Sequence, residues 1–276
     1  MKKVLIVTNE TKDRDYSVTY SVRDSFRKRG NDVLLCDNEK RHDTLSKISC
    51  AEIWLVVIIG GDGTFIEVAR LITETNLPIL GVNMGTLGYL TEVEISSIDE
   101  AVSQVSTGNY EIEERMMIEG NFKDGNAIAL NDIVVSRRGG LRVIHFEIFV
   151  NGELLNSYQS DGIIVSTPTG STAYNLSAGG PIVEPTASLL LLTPICSHAL
   201  NASSIVLSAD DEVVVRIGKG RNETIEEACV AFDGSDTHTL FTGDKILIKK
   251  ANVKSKIVKL SQVSFLETLR KKMKGN

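Results

Sequence analysis

Five residues, Gly60-Gly61-Asp62-Gly63-Thr64, carry the sharpest chemical signal in the chain. Glycines leave backbone N–H groups open to an approaching anion, and a helix that starts there adds a favourable dipole, so the segment reads as a phosphate site. Asp62 is the unusual member, because a carboxylate beside phosphates is repulsive. It becomes useful if it accepts a proton from an attacking hydroxyl or helps to hold a metal ion. The plain alternative is a tight strand-to-helix turn. The lysine-bearing phosphate loop G-x-x-x-x-G-K-[ST] is absent, as is the dinucleotide fingerprint G-x-G-x-x-G.

A second constellation runs from Asp161 to Pro181 and contains Thr172-Ala173-Tyr174-Asn175-Leu176-Ser177. Its hydroxyls and unblocked N–H groups suit a sugar or a phosphate, and Tyr174 can stack on a base. A third is Asn131-Asp132, where an amide and a carboxylate at a strand start can chelate the two hydroxyls of a ribose, although such pairs also mark turns. Arg137, Arg138 and Arg142 follow in a glycine-containing loop, either as a solvated basic loop or as ligands of a nucleotide phosphate.

These groups need elements to place them. Residues 53–59 are a short apolar run that reads as a buried strand, and 65–72 read as a helix with Thr64 as its cap. Strands are expected at 3–7, 32–36 and 77–82, and helices at 17–29, 40–48 and 98–105, with Gly30 stopping the first helix. This alternation predicts a parallel, Rossmann-like sheet covered by helices, in which ligands bind at the C-terminal ends of strands. The loops at 60–64 and 83–89 both fall there.

From about residue 110 apolar and polar residues alternate between turn signals. Asn151-Gly152 joins 146–150 to 153–155 as a hairpin, and Asp124-Gly125 gives a similar signal. Further strands are expected at 162–166, 204–208, 212–217, 229–233 and 245–250. The expectation is an α/β domain over 1–110 and an all-β, two-layer sandwich-like domain over 111–262. A helix over 263–276 is expected to return to the first domain.

The 276 residues allow one large domain or two medium ones. A net charge of −6 argues against broad nucleic-acid binding, and no apolar run approaches the ~20 residues that span a bilayer. The start, Met1 to Glu10, is too short in apolar residues for a signal peptide and reads as a first strand. Cys36, Cys50, Cys196 and Cys229 lack metal-ligand spacing and are expected to be reduced, as in a cytoplasmic protein with no nucleic-acid or membrane partner.

Taken in order, the segments at 60–64, 83–91, 131–132 and 161–181 resemble the NAD kinases over essentially the whole chain. The run T-P-T-G-S-T-A-Y is specific, whereas G-G-D-G-T has close relatives in diacylglycerol and sphingosine kinases and in phosphofructokinases. The resemblance implies transfer of the γ-phosphoryl group of ATP, or of phosphate from polyphosphate, to the 2′-hydroxyl of the adenosine ribose of NAD. It implies a divalent metal, most simply Mg²⁺ held mainly by donor phosphates, and a homo-oligomer, often a tetramer. Carried over by motif, Asp62 is the general base, with Gly60, Gly61, Gly63 and Thr64 around it. Asn131 and Asp132 hold ribose hydroxyls. Asp161 binds the nicotinamide carboxamide, and Thr172, Ala173, Tyr174, Asn175, Leu176 and Ser177 line the nucleotide pocket. Arg142 falls at a ligand-contacting position. Asp132 stands where many relatives have Glu, Ser203-Ser204 where they have Arg-Pro, and Ser235 where they have Gln. The competing readings are a lipid or sugar kinase built on the same glycine loop and a non-catalytic NAD-binding sensor.

Overall fold

The β-branched run after Lys3 forms β1 (Lys3–Thr8), followed by α1 (Ser17–Lys28), β2 (Asp32–Leu35), α2 (Arg41–Ser46), β3 (Ile53–Gly60), α3 (Asp62–Leu71), β4 (Pro78–Asn83) and α4 (Ile98–Ser106). The structure is a computed structural model and describes residues 3–85, 88–139, 143–198, 202–260 and 263–274. The chain divides into two compact units. One holds the residues up to Arg115 together with those from Val253 on, and the other holds Met116–Asn252.

In the first unit β1 pairs in parallel with β2 on one side and β3 on the other, and β3 pairs in parallel with β4. Leu55, Val56, Val57, Ile58 and Ile59 have no exposed surface. An unbroken apolar strand is what a sheet covered on both faces requires. On one face Val4, Ile6, Leu55 and Val57 pack with Val22 and Phe26 of α1 and Val102 and Val105 of α4. Because β2 and β3 lie on opposite sides of β1, the winding reverses between β1 and β3. In such sheets ligands bind at the C-terminal strand ends beside that reversal.

The second unit begins within β5 (Glu111–Phe122) and continues through β6 (Gly125–Ala129), β7 (Asp132–Arg137), β8 (Ile144–Val150), β9 (Glu153–Ser160), β10 (Gly162–Ser166), α5 (Tyr174–Ser177), β11 (Leu189–Ile195), β12 (Ile205–Ser208), β13 (Val213–Ile217), β14 (Glu227–Phe232) and β15 (Ser235–Phe241), and ends within β16 (Lys245–Lys259), at Asn252. One antiparallel sheet runs β12-β11-β10-β7-β14-β15. A second layer contains β13 between β8 and β16, with β9 beside β8. Ile163, Val165, Leu190 and Phe232 of the first layer share one core with Phe146, Ile148, Val215 and Ile246 of the second, which makes the expected sandwich. Asn151 and Gly152 have φ of 51° and 85°, the paired positive values that an Asn-Gly hairpin turn supplies at least cost.

Strand β11 has no counterpart among the sequence expectations, and it contains a proline, Pro194. It is tolerated because the pairing with β12 ends at Leu192, so the missing N–H removes no ladder bond there. The last helix, α6 (Phe265–Met273), belongs to the first unit, and Phe265 packs on Tyr89 with ring centroids 6.1 Å apart. Among the described residues no helix is long and apolar enough to cross a membrane, and all four cysteines are free.

Candidate functional site

The glycine segment is tighter than its sequence suggests. Gly60 is still strand, Gly61 is the extended N-cap, and α3 starts at Asp62, three residues before the expected start. Thr64 therefore does not cap the helix. It lies inside the first turn, where its hydroxyl accepts a 2.8 Å hydrogen bond from the Asn9 amide just beyond β1. A Cβ on Gly60 would lie 2.9 Å from the Thr64 hydroxyl and 3.2 Å from Asn9 Cβ, so glycine is what lets the ends of β1 and β3 close up. Around Gly63 the opposite holds: nothing lies within 4 Å of its Cβ position, which leaves the first turn of α3 open to a ligand. Lys12 projects its ammonium over the loop, with Nζ 2.8 Å from a Cβ on Gly61 and 3.4 Å from one on Gly85. The strand ends thus present a helix N-terminus and the Lys12 ammonium, a combination that suits phosphate.

Asp62 is half-buried and turned toward residues 88–91. Its Oδ2 accepts the Tyr89 N–H at 2.8 Å, and Oδ1 accepts the Leu90 and Thr91 N–H groups at 3.1 and 3.3 Å. The Thr91 hydroxyl donates to the same Oδ1 at 3.3 Å. A Cβ on Gly88 would fall 2.1 Å from Oδ1, so this approach also requires glycine. The carboxyl group is an acceptor fixed in direction by a curl of backbone donors. Thr86 and Leu87, in the same expected loop, lie outside the described residues.

In the second unit the antiparallel pairing of Ser166 with Asp132 brings two of the expected segments together. The Thr167 hydroxyl donates to Leu130 O at 2.6 Å, and its N–H donates to Asn131 O at 2.8 Å. Asp132 is 4 % exposed. Burial, and after it the charge of Asp233, push its carboxyl up from 3.8 to about 7. Asp233 itself accepts the N–H groups of Leu130, Asn131 and Asp132 at 2.8, 2.7 and 3.1 Å.

Thr169–Thr172 form one turn of 3₁₀ helix that runs into α5. Tyr174, Leu176 and Ser177 are exposed, while Thr172 and Ala173 are half-buried. Asn175 has no exposed surface. Its amide donates to Ser171 O and Pro181 O at 3.1 and 3.0 Å and accepts the Thr193 hydroxyl at 2.7 Å. Asn175 thus fixes the shape of the loop that carries Tyr174. The Thr193 hydroxyl also lies 2.9 Å from Ser204 Oγ, so Ser204 extends the same network.

Asp161 sits at the other end of β10 from Thr167, roughly 20 Å away at ~3.3 Å per residue. Its carboxylate pairs with Arg137 Nε at 2.7 Å. Arg138 pairs with Glu227 at 3.2 Å, so both arginines have partners within the chain. Arg142 lies outside the described residues. The Ser235 hydroxyl donates to Phe232 O at 3.3 Å.

Sequence reading missed Asn9, Lys12, the 88–91 donors as a unit, and Asp233. Asn9 and Lys12 had one available signal, their place just after a strand of a parallel sheet. Asp233 had another, the Asp-Gly pair, which forms the hairpin between β14 and β15 with φ of 50° and 71°. Among the described residues no group of three or more His, Cys, Asp or Glu converges on a common point.

Residues 4–110 match the ATP-NAD kinase N-terminal domain, and residues 130–260 match the ATP-NAD kinase C-terminal domain. An NAD kinase of Lachnospira eligens is 42% identical over 99% of this chain and 100% of its own length. One from Agathobacter rectalis is 42% identical over 100% and 99%. Among solved structures, an NAD kinase from Archaeoglobus fulgidus in complex with ATP is 25% identical with a TM-score of 0.79, covering 97% of this chain and 98% of that one. Yeast NADH kinase complexed with NADH has the same fold at a TM-score of 0.85 and 23% identity, covering 100% and 88%. With both domain descriptions matched in order and full-length relatives above 40% identity, the chain belongs to the ATP-NAD kinase family.

Proposed function

We propose that this chain is an NAD kinase that moves the γ-phosphoryl group of ATP, or phosphate from polyphosphate, onto the 2′-hydroxyl of the adenosine ribose of NAD. The observation that carries the reading is a carboxylate, Asp62, as the first residue of a helix whose N-terminus is otherwise built for phosphate. The open turn at Gly63 and the Lys12 ammonium receive the donor phosphates. Asp62, held in one direction by the N–H groups of residues 89–91, orients the acceptor hydroxyl and takes its proton. Phosphoryl transfer depends mostly on positioning and charge stabilisation, so a pre-aimed carboxylate needs little rearrangement.

NAD is assigned to the second unit. Asn131 and Asp132 take ribose hydroxyls, the exposed Tyr174 stacks on a base beside Thr172, Ala173, Leu176 and Ser177, and Asp161 meets the nicotinamide carboxamide. Asn175 serves by fixing the loop. A single carboxylate beside donor phosphates fits Mg²⁺, which commonly keeps one or two carboxylates plus phosphate oxygens, and the ion supplies charge neutralisation on those phosphates. The protein is further assigned to the cytoplasm and to a homo-oligomer, a tetramer by analogy with its family.

The test is NADP formation from NAD with ATP or polyphosphate, with and without Mg²⁺, with NADH, diacylglycerol and sugars as alternative acceptors. Metal-dependent NADP formation supports the assignment. NAD binding without turnover contradicts it. Light scattering of the purified chain tests the tetramer.

A further inference from the structure

Helix α6 has no fully buried residue, so few contacts hold it. It starts from a Ser264 cap that accepts the Glu267 N–H at 3.2 Å. Two of its side chains grip one ring. Phe265 lies tilted against Tyr89, and the Lys272 ammonium sits 3.9 Å from the centroid of the same ring. Tyr89 is also the residue whose backbone N–H reaches Asp62 Oδ2. Just before α6, Lys259 pairs with Glu92 at 2.8 Å, so the C-terminal segment is tied to the Asp62 loop at both ends. Between these ties lies a cavity of about 370 Å³, lined by Tyr89, Thr91, Glu92, Val263 and Lys271 among others, which leaves the loop room to shift if α6 moves.

We propose that α6 is a strut that sets the direction of the Asp62 carboxylate through Tyr89, with Lys272 and Phe265 as positioning residues for phosphoryl transfer. The physical route is short. An ammonium over an aromatic face is attractive, and more so when partly desolvated. Burial lowers Lys272 from its ordinary range while the Asp62 charge opposes that shift, so the ammonium is both desolvated and within the field of the carboxylate. Weak docking makes α6 an element whose displacement costs little, and releasing Tyr89 withdraws one of the donors that aim Asp62. The proposal rests on the reading of Asp62 as the group that handles the acceptor hydroxyl.

The test uses the full chain. Lys272→Met keeps the aliphatic stem and removes the cation. It is expected to lower kcat about five- to thirty-fold, the factor a partly desolvated cation–π contact carries, with KM for NAD within about two-fold. Lys272→Arg, which restores a cation over the ring, recovers most of the loss. Met273→Ala, on an exposed position of the same helix, leaves turnover unchanged. Amide hydrogen exchange at Tyr89, Leu90 and Thr91 accelerates in Lys272→Met, and in an Asp62→Asn background the same substitution produces no further fall in kcat. Unchanged exchange at those three amides overturns the strut whatever Asp62 does. An equal fall in kcat in the Asp62→Asn background also overturns it. Turnover of Asp62→Asn alone judges the role of Asp62 separately.

Discussion

Two carboxylates, Asp62 and Asp132, show two opposite ways of installing an acid beside a binding surface. Asp62 sits half-exposed at a helix N-terminus and is met by three backbone N–H groups and one hydroxyl. Asp132 is nearly sealed from water, and its neighbour Asp233 takes the local backbone donors instead. The outcome is an acceptor fixed in direction in the first unit and, in the second, an acid pushed up to about 7. What separates them is first the exclusion of water, which is nearly complete at Asp132 and partial at Asp62, and then the neighbours: loop 88–91 curls its donors around Asp62, while the hairpin after β14 places the Asp233 charge beside Asp132. A fixed acceptor suits proton removal, and an acid near neutrality can donate to or accept from a ribose hydroxyl.

The largest effect should come from removing the fixed acceptor. Asp62→Asn is expected to lower kcat by roughly 10²- to 10⁴-fold with little change in NAD binding, measured as steady-state NADP formation beside NAD titration. Near-normal turnover would break the contrast at its first member. Gly88→Ala tests the aiming rather than the charge. A methyl at Gly88 overlaps Oδ1 and must displace the carboxylate, so kcat should fall at least ten-fold although the acid itself is retained.

The second member is tested through stability. The folded pKa of Asp132 lies above its unfolded value near 3.8, so its favourable contribution is complete below that value and is lost as pH rises through about 7. Wild-type protein should therefore gain about 2.5 kcal/mol from this group between pH 7.5 and pH 5, and Asp132→Asn should lack that gain. Urea unfolding at the two pH values measures the difference. A variant with the same pH dependence as wild type would show that Asp132 ionises normally.

Smaller effects sharpen the outer parts of the comparison. Lys12→Met should raise KM for ATP about ten-fold and leave KM for NAD unchanged, because a lost charge-assisted contact is felt only by the phosphate donor. Arg137→Met should lower stability by under about 1 kcal/mol, since its pair with Asp161 is partly solvated. That places Asp161 in a third class, an accessible carboxylate with an exchangeable partner.

Much of the fold is written in local pattern. The unbroken apolar run of β3 announces a strand buried on both faces, and Asn151-Gly152 announces a hairpin by the positive φ that its two residues adopt. Strand β11 escaped sequence reading, and Pro194 within it is tolerated because the pairing with β12 stops at Leu192. The start of α3 was displaced because Asp62, Gly63 and Thr64 have weak helix preference, and the helix there is set by a strand end and a hydrogen bond from Asn9. Asp161 and Arg137 illustrate the same limit, being 24 residues apart in sequence yet joined by the antiparallel register of β7 and β10.

The sequence by itself determined the chemistry on offer: a carboxylate among glycines at a strand end, a hydroxyl- and glycine-rich run after a second strand, and a net charge that disfavours nucleic acid. Those properties depend on residue type and short spacing. Only the tertiary structure decided how each carboxylate behaves. Whether an acid is held as an anion or pushed toward its neutral form depends on which donors reach it and how much water is excluded. For Asp62 the donors come from residues 27 to 29 positions away, and Asp132 is shut off from water beside an acid 101 positions away. No local pattern encodes contacts at that separation.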